Sequence, residues 1–247
     1  MKKHKFGATY SVWDGLELLE SSLRSIRGSC DYINIVYSNE SWYGRKSPRK
    51  ILPILQDLMA RGLCDEIIEY KVDIKRSPTD NETRKRNMGM KAAVRAGVHY
   101  LMSMDADEFY VASELEAMKS EIIERGITHS YVCTLRYKNT AEQYVLCDKT
   151  WPEFIQTFCR VNRFSRYGSR NNMKMLVDPS RGVKNRLQIQ KHFLFRFIWA
   201  HHYSGYRKDM ASKFKNSSGA KNYQKNYQCK IHPPTIRVKN TFNLPVF

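Results

Sequence analysis

The sequence predicts an α/β protein, with a mostly parallel central sheet, helices on both faces, and a smaller antiparallel or irregular C-terminal extension. Three observations carry this. Over about a hundred residues strand-like apolar runs alternate with segments of helical periodicity, which implies parallel strands joined by right-handed crossovers. After Gly126 strand-like segments follow one another without the same alternation. The 247 residues, 42% of them hydrophobic, are enough to build one large core, and a single domain is expected.

The elements follow in order. Residues 5–12 (KFGATYSV) read as a strand and 14–28 (DGLELLESSLRSIRG) as a helix, with Leu16, Leu19, Leu23 and Ile26 at helical spacing before Gly28. DYINIVYSN (31–39) is the second strand. SPRKILPILQDLMARG (47–62) is the second helix, with Ser47 as cap, Pro48 at the first helical position and Gly62 past the end. Pro53 in its first turns predicts an irregular start. DEIIEYKV is the third strand, TDNETRKRNMGMKAAVRAG a helix ending near Gly97, VHYLMSMD the fourth strand, and ASELEAMKSEIIERG a further helix. HSYVCTLRYKN, FCRVNRFS and HFLFRFIWAHHYS read as strands of the extension and lid. From NSSGAKNYQKNYQ onward the chain is polar with little periodicity, and it is expected to wrap the surface or stay mobile.

Composition narrows the function classes. No apolar run approaches the roughly 20 residues that span a bilayer, and the Met-Lys-Lys-His-Lys start leads into a strand, so a soluble, cytoplasmic protein without a transmembrane segment is expected. Peripheral membrane contact stays open. The six cysteines (Cys30, Cys64, Cys133, Cys147, Cys159, Cys229) form no C-x-x-C pair, which argues against structural zinc and a disulfide framework. A formal charge of +18 attracts polyanions, whether nucleic acid, acidic membrane or phosphate-rich small molecules.

The chemistry concentrates in HYLMSMDADEFY (99–110), where a buried strand is aimed at Asp105, Asp107 and Glu108. Ligands of parallel α/β sheets sit beyond the carboxyl ends of strands. Residues i and i+2 of a strand share a side, so Asp105 and Asp107 converge, and two converging carboxylates call for a proton or a hard divalent ion such as Mg²⁺ or Mn²⁺. A solvated turn capping the next helix accounts for the same residues without function. Upstream, Arg84, Asn87 and Lys91 recur at helical spacing and offer cations and an amide to an anion.

The segment ETRKRNMGMKAAVRAGVHYLMSMDADEFY resembles the donor-site region of GT-A nucleotide-sugar glycosyltransferases of the family 2 type: a helix bearing R-x-x-N-x-G (Arg84, Asn87, Gly89), an apolar strand, then D-x-D-E-[FW] (Asp105 to Phe109). The opening ATYSVWDGLELLESSLRSI is similar to that family's first strand, nucleotide loop and helix. The resemblance implies a GT-A, Rossmann-like fold. It places Thr9, Tyr10, Ser11 and Asp14 under the base and ribose, Ser38 and Asn39 beside the base, and Arg84 and Asn87 at the ribose or diphosphate. Asp105 and Asp107 hold ribose and metal, and Glu108 caps the next helix or orients the aspartates.

A late segment, WAHHYSGYRKD, resembles the H-[FY]-x-G-x-x-K motif of glycogenin-like family 8 enzymes through His202, Tyr203, Gly205 and Lys208. It departs from that family after Lys208, where Asp209 and Met210 follow. This likeness makes His202 the third metal ligand beside Asp105 and Asp107, lets Gly205 approach the diphosphate closely, and makes Lys208 the diphosphate clamp. A core histidine is the bland alternative.

The implied activity is metal-dependent transfer of a sugar from a nucleoside-diphosphate donor, a UDP-sugar by preference, to a glycan or glycoprotein acceptor, with Mn²⁺ or Mg²⁺ as cofactor. Residues 1–112 would form the donor half, 113–217 the acceptor half that also completes the metal site, and 218–247 a tail. Asp107 is the catalytic residue that acts through the metal; an inverting enzyme would also need a carboxylate base, for which Glu153, Asp148 and Asp178 are candidates, whereas the family 8 likeness leans to retention. The style of a small basic transferase resembles those of large DNA viruses that glycosylate their own capsid, with bacterial surface polysaccharide as the other acceptor in view. The rival readings are a basic nucleic-acid-binding protein and a metal-dependent nucleotidyltransferase. The strand-end acids repel a phosphate backbone, so nucleic acid is not expected as a partner.

Overall fold

The computed structural model describes residues 4–47, 50–138, 140–145, 154–168, 179–185, 189–206 and 235–244. β1 (Phe6–Val12), α1 (Leu16–Arg27), β2 (Tyr32–Tyr37), α2 (Ile51–Ala60), β3 (Glu66–Glu69), α3 (Pro78–Arg95) and β4 (Tyr100–Met104) follow the alternation read from the sequence. β1 lies between β2 and β4, parallel to both, and β3 lies parallel outside β2. The chain order therefore reverses at β1. In open α/β sheets ligands bind in a crevice beyond the carboxyl ends of the strands at such a reversal.

Alternation along β1 separates the two faces. Phe6, Ala8, Tyr10 and Val12 enter a core with Leu16, Leu19, Leu23 and Ile26 of α1, Ile51, Leu55 and Leu58 of α2, and Leu115, Met118 and Ile122 of α4 (Ala112–Glu124). Each such aliphatic chain withdrawn from water contributes about 1.5–3 kcal/mol. α3 covers the opposite face. Its closest approach is at Gly89, where a Cβ would stand 1.9 Å from Thr9 Oγ1 and 2.9 Å from Asn34 Oδ1, so only a residue without a side chain lets the helix lie on β1 and β2. Ser77 caps α3 by accepting from Asp80 N at 3.1 Å, and Pro78 opens it.

α2 differs from expectation at its start. It begins at Ile51 after Lys50, not at Pro48, which lies outside the described residues together with Arg49. Pro53 thereby falls in the first turn, where a missing N–H removes no intrahelical bond.

The second half continues the sheet. β6 (His129–Lys138) and β8 (Phe154–Arg160) pair antiparallel, and β8 joins antiparallel to β4. β8 starts earlier than expected and turns at Arg163–Phe164, where Asn162 Oδ1 accepts from Phe164 N. β11 (His192–Gly205) runs parallel to β6 and departs from the expected antiparallel pattern; its far end pairs antiparallel with the short β5 (Glu108–Phe109). β7 (Gln143–Val145) pairs with β6 and with β12 (Thr235–Arg237), while β9 (Arg166–Tyr167) and β10 (Val183–Lys184) form a two-stranded ribbon that packs on α3. Of the expected tail the described residues are 235–244: β12 adds an edge strand, and Phe242 and Leu244 pack with Phe109, Tyr137 and Tyr203. Among the described residues no helix is long and apolar enough to cross a membrane.

Candidate functional site

β4 delivers its acids to the crevice as the alternation requires. Tyr100, Met102 and Met104 face the α1 core, Leu101 and Ser103 face α3, and the chain leaves the strand at Asp105. Ala106 is buried in the α1 core, and of the two aspartates that flank it Asp105 is partly exposed while Asp107 is buried. The β5–β11 pairing then sets His202 opposite Glu108 and His201 opposite Phe109, with Tyr203 N donating to Asp107 O at 2.8 Å. His202 Nε2 stands 3.6 Å from Asp107 Oδ1. Two residues from opposite halves of the chain thus meet at one strand end.

The neighbouring histidine has another place. His201 is buried, its Nδ1 lies 2.8 Å from Tyr137 Oη, its ring packs edge-on to Phe242, and burial lowers its pKa to about 4.

Asp105 is held by two arginines. Arg181, from the short 3₁₀ turn Pro179–Arg181, donates through Nη2 to Asp105 Oδ2 at 2.5 Å and through Nη1 to Glu108 Oε2 at 2.7 Å and Ser103 O at 3.1 Å. Arg86 of α3, also buried, donates to Asp105 Oδ1 (3.1 Å), Ser103 Oγ (2.5 Å), Glu82 Oε1 (2.9 Å) and Ser180 Oγ (3.3 Å). Burial works to raise the Asp105 pKa, but the Arg181 and Arg86 guanidiniums outweigh it and bring it to about 2. Glu108 is pushed upward by burial despite Arg181, and its Oε2 accepts from Asp105 N at 3.1 Å, which orients the loop and leaves the next helix uncapped by it.

Among the described residues no three His, Cys, Asp or Glu side chains gather into a set that could hold a metal ion. Of the three expected ligands, Asp105 is paired with two arginines, and Asp107 and His202 stand closest to each other. A carboxylate oxygen and an imidazole nitrogen 3.6 Å apart are close enough for one divalent ion to touch both; the carboxylate suits Mg²⁺ or Mn²⁺, and the nitrogen favours Mn²⁺ of the two.

The other expected site residues are spread over several elements. Thr9 and Tyr10 lie inside β1, short of its end: Thr9 Oγ1 donates to Asn34 Oδ1 at 2.6 Å beneath Gly89, and Tyr10 Oη sits 2.9 Å from Ser22 Oγ in the α1 core. Ser11 also lies inside the strand, which runs on to Val12, and Asp14 follows just beyond its end. Ser38, at the end of β2, is buried and accepts from Lys85, while Asn39 is exposed and donates to Glu69 at 2.9 Å.

Arg84 and Asn87 are turned away from the acids. Arg84 pairs with Asp80 one turn earlier at 3.2 Å on the solvent side, because the sheet-facing side of α3 is the one carrying Lys85, Gly89 and Ala93. Asn87 clamps β9, accepting from Tyr167 N at 2.8 Å and donating to Tyr167 O at 3.2 Å. Gly205 ends β11. Lys208, Asp148, Glu153 and Asp178 lie outside the described residues.

Sequence reasoning missed Arg86, Arg181 and Lys85. Arg86 and Lys85 precede Gly89 by three and four residues, so the helical period that marks Gly89 as sheet-facing also marks them. Arg181 carries no periodic signal.

Among solved structures the chain is similar to Staphylococcus aureus TarS, at 11% identity and a TM-score of 0.50 over 81% of this chain and 36% of TarS. A TarS fragment of residues 1–349 matches at 12% identity and a TM-score of 0.49, covering 81% of this chain and 60% of the fragment. The same fragment in complex with UDP matches at 13% identity and a TM-score of 0.41, over 55% of this chain and 37% of the fragment. The chain therefore spans less than two thirds of the length of these proteins, and the likeness is one of fold. No family model matches the sequence, and no curated protein matches it.

Proposed function

We propose that this chain is a glycosyltransferase that takes its sugar from a nucleoside diphosphate, with UDP as the nucleotide, at the carboxyl ends of β1, β2 and β4. One observation carries the reading most: the β5–β11 pairing brings His202 to Asp107 at the strand end beside the β1–β4 crevice. The fold shared with TarS, a glycosyltransferase whose fragment has been seen with UDP, supports it.

In this reading Asp107 and His202 hold Mn²⁺ or Mg²⁺, and the diphosphate supplies further oxygens. The ion, when bound, neutralises the charge that grows on the departing diphosphate. Asp105, fixed by Arg86 and Arg181 and partly exposed, keeps a carboxylate edge for ribose hydroxyls. The two guanidiniums also offset the acids, so a diphosphate meets a site that is less negative than three carboxylates alone. Ser11, Asp14, Ser38 and Asn39 line the nucleoside side, with Gly205 and Lys208 on the diphosphate side. The acceptor, a glycan or glycoprotein such as a capsid protein or surface polysaccharide, approaches from the 113–217 half. Retention is the favoured stereochemistry, with Asp148 and Glu153 the bases to test if inversion is found.

The test is calorimetric titration of UDP with and without Mn²⁺, followed by a UDP-sugar hydrolysis screen without acceptor. Tight binding that requires the ion and is lost in Asp107→Ala and His202→Ala is expected. Salt-sensitive oligonucleotide binding with no response to UDP would instead support the nucleic-acid reading.

A further inference from the structure

Lys85 is fully buried, yet it lies at the carboxyl edge of the sheet rather than in an apolar core. Its Nζ donates to Val12 O at 2.7 Å, the last residue of β1, and to Ser38 Oγ at 3.1 Å, just past the end of β2. Val12 O also accepts from Ser38 N at 3.1 Å, so one carbonyl joins both strand ends and the ammonium. The loop leaving β2 folds back through the Glu40–Lys46 bridge and sets the Trp42 ring over the same nitrogen, 5.2 Å from Nζ to the centroid. Trp42 meets Tyr70 edge-on at 6.5 Å, and Tyr70 Oη donates to Asn81 Oδ1, which ties in the loop after β3.

A lysine is an expensive way to fill this space. Methionine has nearly the same length, needs no hydrogen-bond partners and loses no hydration on burial, and buried charged groups replaced by apolar ones of similar size often leave stability unchanged or improved. The cost is visible in the Lys85 pKa, which burial, reinforced by neighbouring Arg86, lowers to about 7 against the pull of Asp105, Glu82 and Asp14. Costly polar groups concentrated at a crevice rather than in the core are the pattern of a binding site maintained against stability.

We propose that Lys85 is the positioning residue of the nucleoside subsite: it fastens the ends of β1 and β2 together and holds Trp42 over them, so that the loops after both strands present a fixed surface to a pyrimidine nucleoside diphosphate. This rests on the donor site lying at that edge. Lys85 is fully buried and acts through Val12, Ser38 and Trp42, without touching the ligand itself.

The experiment pairs affinity with stability in the full chain, using UDP and Mn²⁺ as the probe. Wild type, Lys85→Met, Trp42→Phe and Trp42→Ala are compared by titration calorimetry and thermal unfolding. Lys85→Met is expected to keep or raise the unfolding midpoint while weakening UDP at least about tenfold, with the loss in turnover falling on KM for the donor. Trp42→Ala is expected to weaken UDP similarly, and Trp42→Phe, which retains a ring over the cation, less. Wild-type protein that does not bind UDP removes the donor-site reading and this inference with it. UDP bound by wild type and Lys85→Met with equal affinity overturns the inference alone, as does an affinity loss that merely tracks a fallen midpoint. If Lys85→Met does not fold, the Trp42 pair decides: equal affinity in all three forms overturns it.

Discussion

Arg181 joins two acids that the chain presents on either side of a turn, donating to Asp105 at 2.5 Å and to Glu108 at 2.7 Å from a guanidinium that is itself buried. Removing it strands Glu108, which is 1% exposed, without its cation. Arg181→Met is therefore expected to lower unfolding free energy by about 3–5 kcal/mol, the usual cost of deleting one partner of a buried ion pair. Urea denaturation at neutral pH measures it. A loss below about 1 kcal/mol would show that solvent, not Arg181, satisfies these carboxylates.

The same contact fixes the sign of an acid response. Asp105 has its pKa depressed from 3.8 to about 2, so its contribution to stability is present above the unfolded value and is lost as pH falls from near 4 toward 2. Denaturation midpoints taken across that window should fall, and in Asp105→Asn this component of the fall should be absent.

Gly89 offers a test of helix placement. A methyl group there would lie 1.9 Å from Thr9 Oγ1 and 3.0 Å from Val36 Cγ2, so Gly89→Ala must displace α3 from β1 and β2 despite the helix propensity it gains. A net loss of about 1–3 kcal/mol is expected from overpacking. A more stable variant would mean that the helix sits farther from the sheet.

Arg84 and Asn87 separate a motif from its geometry. Arg84→Ala, on an exposed i,i+4 pair with Asp80, is expected to change stability by less than about 0.5 kcal/mol and to leave UDP affinity intact. Asn87→Ala frees the backbone N–H and C=O of Tyr167 from their clamp and should cost about 1–3 kcal/mol, again with UDP affinity retained. Ligand titration of both folded variants is the check; a selective loss of affinity in either returns it to the donor site.

Most of the β1–β4 architecture was legible because amphipathic spacing reports local structure directly. Leu16, Leu19, Leu23 and Ile26 announce α1, and the apolar run ending at Asp105 announces β4 and the place of its acids. Partner choice was not legible in the same way. Arg84 was favoured over Arg86 because it fits a motif spacing, whereas the side of α3 that meets the acids is set by where Gly89 lets the helix approach. Arg181 reaches Asp105 through a short irregular turn whose position depends on the β9–β10 ribbon, a tertiary relationship with no periodic trace in the sequence. The parallel course of β11 beside β6 was equally silent, since a strand's pattern records which face is buried but not the direction of its neighbour.

The adjacent histidines of β11 make the phase of that strand a chemical variable. Three residues, Arg196 to Ile198, intervene between the partners of Val132 and Cys133 on β6, and everything after them is counted from that irregularity. Neighbours on a strand face opposite sides, so a shift of one residue would exchange the two imidazoles. His201, whose pKa burial holds at about 4, would swing to Asp107, and His202 would enter the aromatic cluster of Tyr137 and Phe242. Chain length within the bulge thus selects the residue that meets Asp107: one residue more would bring His201 there, and one residue fewer would bring Tyr203.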